Sequence, residues 1–124
     1  MRFEDLEAWR RARNLVRSVY SACRHTRLGS DFALKDQIRR ASVSVMSNVA
    51  EGFERAHTVE KIQMYKVARA SAAEVRSLLY VIEDQEMAPF GRIQELRRIV
   101  EEAGKLITGL IRSTEKYLLR KRVR

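Results

Sequence analysis

The sequence predicts an all-α protein, an antiparallel up-down-up-down bundle of four helices. Three observations carry that expectation. Apolar residues recur at steps of three and four through four long segments. The 124 residues hold one proline, Pro89, and five glycines, too few turn-formers for a small all-β domain. Alternating β-branched runs are missing; the nearest, Ala41 to Val49, is interleaved with Ser and Asn and reads equally well as helix.

The first helix is expected from about Phe3 to His25. Phe3, Leu6, Trp9, Ala12, Val16, Val19, Tyr20 and Cys23 recur at helical spacing, and Glu4, Asp5 and Glu7 sit where the helix dipole favours anions. Arg24 sits at the opposite end, and Gly29 is the expected stop. The second helix starts at Ser30 or Asp31, either an acceptable N-cap, and runs to about Arg55. Its core face is Leu34, Ile38, Ala41, Val45, Val49 and Ala56. Gly52 near its end either admits a neighbouring helix or loosens the last turn. The third helix follows a turn at Ala56 and His57, with Thr58 as the expected N-cap. Tyr65, Ala68, Ala72, Val75, Leu79 and Ile82 form an a/d seam of coiled-coil type. It ends near Gln85 to Ala88, because Pro89 disfavours helix in the residue before it. The fourth helix runs from Phe90 or Gly91 to near Leu119 on Ile93, Leu96, Val100, Ala103, Ile107, Leu110, Thr114 and Tyr117. Gly104 and Gly109 inside it suggest close approach of a neighbour. Helices of roughly 23 to 30 residues at about 1.5 Å per residue give a bundle about 35–45 Å long. One domain is expected over residues 3–119, with a frayed basic tail over 120–124.

Composition bounds the function. The formal charge is +9, with 33% charged and 45% hydrophobic residues. That sign attracts polyanions: nucleic acid, anionic lipid or an acidic protein. A single cysteine, Cys23, leaves no internal disulfide and fits a reducing cytoplasm. The N-terminal MRFEDLEAWRRAR mixes charges where a signal peptide needs an apolar run. No segment approaches the roughly 18 uninterrupted apolar residues of a membrane span, so no membrane partner is expected.

Catalytic and metal chemistry find little support. Bundle di-iron sites need two Glu-x-x-His pairs, and only Glu54 and His57 have that spacing. Cys23 lies on an apolar seam, as a small core residue would. No glycine-rich phosphate loop is present. Neither histidine has the arginine that precedes it in some helical-bundle ribonucleases. The expectation is a non-enzyme without cofactors.

What stands out is the second helix. Beside its core arc runs a narrow polar stripe, Gln37, Ser44, Asn48 and Arg55, edged by Arg40 and Glu51. It is either a subunit interface or a satisfied polar layer inside one bundle. Glu51 and Glu74 are carboxylates available to Arg40, Arg55 or Arg69. Basic residues crowd the first two helices (Arg10, Arg13, Arg17, Arg39, Arg40) and the tail (Arg120, Lys121, Arg122, Arg124). Arginine forks match phosphate oxygens. No aromatic-rich stacking platform is visible, so any nucleic-acid binding is expected to be mainly electrostatic.

The run Gln37-Ile38-Arg39-Arg40-Ala41, then Ser44, Asn48-Val49-Ala50-Glu51-Gly52 and Arg55, resembles the signature of the four-helix-bundle proteins encoded in intervening sequences of bacterial 23S rRNA genes. Phe3-Glu4-Asp5-Leu6 with Trp9 resembles that family's opening motif. Ala70-Ser71-Ala72-Ala73-Glu74 resembles its Gly-Ser-Leu-x-Glu-Leu segment, with Ala70 for the glycine and Val75 for the leucine. The likeness spans about residues 3 to 85. It implies a homo-oligomeric ring, a pentamer, in which Gln37, Ser44 and Asn48 hydrogen-bond at or just inside the interface and Glu51 pairs with an arginine. The chain is also similar to the accessory variability determinant of diversity-generating retroelements, a basic pentameric barrel that binds nucleic acid and a reverse transcriptase. Three functions are therefore weighed: a homo-oligomeric RNA- or DNA-binding protein, a scaffold docking a protein such as a reverse transcriptase, or a structural bundle whose charge only confers solubility.

Overall fold

The computed structural model describes residues 1–123, and among them the regular structure is entirely helical. The helices are α1 (Glu7–His25), α2 (Phe32–Glu54), α3 (Thr58–Asp84) and α4 (Phe90–Val123). Each packs chiefly on two others in the cyclic order α1, α2, α3, α4. Their apolar faces meet in one core, as expected when four amphipathic helices each bury a stripe.

Helix boundaries follow local hydrogen bonding more closely than glycine positions. Phe3–Asp5 is a separate 3-10 turn, and Leu6 is extended, so α1 starts later than the periodicity suggests. Thr26, not Gly29, ends α1. Its backbone N–H and its hydroxyl both donate to the Ala22 carbonyl, at 3.1 and 2.7 Å. Gly29 is needed for a different reason: a Cβ there would lie 2.1 Å from the Cys23 carbonyl oxygen. Asp31 is the cap of α2, accepting from the Leu34 N–H at 3.0 Å. Thr58 is the first residue of α3 and His57 occupies the cap position without a side-chain bond, so the expected Thr58 cap is not formed.

The end of α3 is a Schellman turn made without glycine. Met87 N–H reaches the Ile82 carbonyl and Glu86 N–H the Glu83 carbonyl, at 3.0 and 3.1 Å. Glu86 accordingly sits in the left-handed region, at φ 53°. α4 continues as helix through Val123, which replaces the expected fraying of 120–123; Arg124 lies outside the described residues.

The core seams of α2 and α3 are those read from the sequence, except Ala56, which is exposed beyond the end of α2. In α1 the deepest positions include Ala8, Leu15 and Ala22, while Trp9, Val16 and Tyr20 are half-buried at the edge. In α4 Ile99 and Ile111 join the core, and Tyr117 is exposed. A 3.6-residue helix drifts relative to a strict seven-residue repeat, so a long seam slides round it.

Glycine roles also divide. Gly52 is buried against α3: a Cβ there would lie 2.6 Å from Tyr65 Cε1 and 3.2 Å from Met64 Cβ. It is a close-approach residue. Gly104 and Gly109 have nothing within 4 Å of such a Cβ, so no neighbour in this chain requires them. No helix among the described residues is long and apolar enough to cross a membrane.

Candidate nucleic-acid interface

The polar stripe of α2 is partly tied down within the chain. Ser44 Oγ lies 2.7 Å from Ser71 Oγ on α3. Asn48 Nδ2 donates to the Ser44 carbonyl at 2.8 Å and to Ser44 Oγ at 3.0 Å. A hydroxyl has one proton. Ser44 therefore accepts from Asn48 and remains able to donate to Ser71, which makes a short polar chain linking α2 to α3. Both Asn48 donor hydrogens point at Ser44, leaving its carbonyl oxygen without an acceptor role among the described residues. Ser42, absent from the sequence-level stripe, is fully buried and donates to the Arg39 carbonyl at 2.9 Å.

The rest of the stripe faces outward. Gln37, Arg40, Glu51 and Arg55 are exposed, as is Glu74 on α3. Arg40 pairs with Asp36 one turn earlier, at 2.9 Å. Among the described residues Glu51 and Glu74 form no ion pair. Gly52 is part of the α2–α3 packing described above. Sequence spacing placed these residues on one arc, but only the folded chain shows which of them find partners.

The basic residues separate into two groups. Arg10 is held at the N-terminal turn, its Nε donating to the Glu4 carbonyl at 2.8 Å. Arg11 bridges to Glu102 of α4 at 3.3 Å, and Arg98 meets the same carboxylate at 3.2 Å. Arg97 is taken by Glu83, and this bond lowers the Glu83 carboxyl and raises the Arg97 guanidinium. By contrast Arg13, Arg17, Arg24, Lys35 and Arg39 have no carboxylate partner among the described residues. Arg120, Lys121 and Arg122 extend the last turn of α4, exposed, where cations suit the helix dipole.

Several of the unpaired cations sit instead on aromatic rings. Arg13 lies 5.7 Å from the Trp9 ring centre, Lys35 4.6 Å from Phe32, and Arg39 5.1 Å from Tyr20. Arg39 Nε is buried and has no hydrogen-bond partner. Burial pushes the Cys23 thiol up, and the charges of Arg39, Lys35 and Arg24 act against that rise. A shallow groove of about 450 Å³ opens beside Arg39, lined by Tyr20, Asp36, Arg40, Ser47 and Asn48 among others. The aromatic components escaped the sequence reading. Trp9–Arg13 and Phe32–Lys35 had a usable signal, four- and three-residue spacing. Tyr20–Arg39 had none, because it joins two helices.

Among the described residues no three His, Cys, Asp or Glu side chains gather as a metal ion would need.

The family model for 23S rRNA-intervening sequence proteins matches residues 4–109. The chain belongs to the 23S rRNA-intervening sequence protein family. The match spans α1, α2, α3 and most of α4, and it stops short of the basic end of α4. A solved structure from this fold is similar: a protein of unknown function from the S23 ribosomal protein family of Bacteroides thetaiotaomicron VPI-5482. It aligns at a TM-score of 0.76 and 16% identity, over 84% of this chain and 97% of that one. At that identity the likeness shows the shared four-helix fold alone. A search of curated proteins finds no significant match.

Proposed function

We propose that this intervening-sequence protein is a non-enzymatic, homo-oligomeric nucleic-acid-binding protein that grips RNA or DNA mainly through phosphate contacts. The observation that carries this reading is the set Arg13, Arg17, Arg24, Lys35 and Arg39, cations without carboxylate partners on two adjacent helices of a chain with net charge +9. By contrast Arg98 is matched on its own helix by Glu102. The exposed Arg120, Lys121 and Arg122 supply a second basic element.

The helices alternate in direction, as the short links between them favour. Assembly into a ring, a pentamer in the resemblance noted above, uses the outward side of α3. Val67, Ala70, Glu74, Ser77 and Val81 are exposed at steps of three and four, a second seam opposite the core seam. The exposed Gln37, Glu51 and Arg55 of α2 flank it. Assembly multiplies the charge of each subunit and gives weak phosphate contacts avidity.

The test is binding of labelled structured RNA and duplex DNA over a series of salt concentrations, with mass measured by light scattering. Affinity should fall steeply with salt, with a slope set by the number of phosphates contacted. Reversing the charges of Arg120, Lys121, Arg122 and Arg124 measures the tail's share. Failure to bind at low salt would sink the proposal and turn the search to protein partners such as a reverse transcriptase. A monomeric mass would remove the ring.

A further inference from the structure

The α1–α2 seam carries more than charge. On α1, Trp9, Arg13, Arg17, Tyr20 and Arg24 fall within about a quarter turn of one another at 100° per residue. The Tyr20–Arg39 contact brings Phe32, Lys35 and Arg39 of α2 beside that arc. Trp9 and Tyr20 stand about 16 Å apart along α1, and Arg39 and Phe32 about 10 Å apart along α2, at about 1.5 Å per residue. The three rings thus mark out a track of about 27 Å. Phe32 is 75% exposed at one end of this track, with Lys35 over its ring.

We propose that this seam is a binding track for single-stranded RNA, a reading that rests on the nucleic-acid-binding function proposed above. Every base has a π-face, and stacking on aromatic rings beside arginines is how single strands are held without sequence choice. In duplex the bases are already stacked inside and cannot reach Trp9, Tyr20 or Phe32. Arg13, Arg17 and Arg39 meet the phosphates between the stacked bases, since no carboxylate in the described chain occupies them. Ser47 lines the groove next to Arg39, and a hydroxyl there offers a partner to a 2′-hydroxyl, which favours RNA over DNA.

The chain's single tryptophan, Trp9, is the reporter. A labelled 12-nucleotide oligouridylate, the matching oligodeoxyuridylate and a 12-base-pair RNA duplex are titrated into the full chain at several salt concentrations. The single-stranded RNA should bind tightest and quench Trp9 emission. Phe32→Ala, at an exposed position that leaves the fold intact, should weaken it about five- to tenfold with the salt slope unchanged. Arg39→Gln should instead lower the slope by about one. Duplex binding with a normal salt slope, no Trp9 quenching and no effect of Phe32→Ala would overturn the track while sparing the electrostatic reading. Equal affinity for the deoxy strand would overturn the RNA assignment. Loss of all three ligands at low salt would overturn both readings together.

Discussion

Alanine at Gly52 and alanine at Gly104 should move stability in opposite directions, although both glycines lie inside helices. In each case alanine recovers helix propensity, about 1 kcal/mol. At Gly104 nothing lies within 4 Å of the new Cβ, so that gain should appear almost whole. At Gly52 the methyl meets Tyr65 Cε1 at 2.6 Å, Tyr65 Cδ1 at 2.8 Å and Met64 Cβ at 3.2 Å. Tyr65 is 2% exposed, so its ring has nowhere to swing, and Met64 Cβ is fixed to the α3 backbone. Relief requires α2 and α3 to separate by some tenths of an ångström along their contact. Overpacking of this kind costs about 2–3 kcal/mol, leaving a net loss of about 1–2 kcal/mol at Gly52. For a chain of this length 1 kcal/mol corresponds to about 4 °C in Tm. Thermal and urea unfolding followed by far-ultraviolet circular dichroism, at one fixed protein concentration, should show Gly104→Ala about 4 °C above the parent and Gly52→Ala about 4–8 °C below it. Equal shifts of the same sign would refute the argument that the α2–α3 approach, rather than propensity, sets the residue at Gly52.

Other expectations are equally direct. Glu86→Gly should raise stability by about 1 kcal/mol in urea unfolding, because it relieves a left-handed residue while keeping the Schellman bonds. Ser71→Ala removes the α3 partner of Ser44 and should cost about 1 kcal/mol, and Asn48→Leu about 1–3 kcal/mol; unchanged melting of both would show that the α2–α3 polar chain does not contribute. Stability should fall in alkali. Burial raises the Cys23 thiol above its ordinary 9.0 and the Tyr65 phenol above its ordinary 10.0. The unfolded chain therefore loses these protons first, and the protection is complete below about pH 9 and lost as pH rises through the folded values. Tyr65→Phe should flatten the part of that decline above pH 10, as urea midpoints across pH 8 to 11 would reveal.

The fold class was legible in the sequence because each helix needs only its own period to be seen. Ile38, Val45 and Val49 on α2 and Tyr65, Ala72 and Leu79 on α3 are buried as their spacing requires. The family was legible too, through Gln37 to Arg55. Boundaries were less so, since Thr26 and Glu86 do work that composition assigns to glycine or proline: one stops a helix through its own hydroxyl, the other accepts a left-handed backbone to satisfy two carbonyls.

The candidate site divides along the same line. Sequence by itself determined the charge and the helical arcs; the pairs Trp9–Arg13 and Phe32–Lys35 lie within that helical spacing but were not read from it. Only the tertiary structure decided that Ser44 meets Ser71, that Tyr65 closes on Gly52, and that Arg39 rests on Tyr20 rather than on a carboxylate. Each of these contacts joins residues on different helices. Their distance depends on how far every apolar side chain between the helices lets the backbones approach, a quantity set by the packed core as a whole.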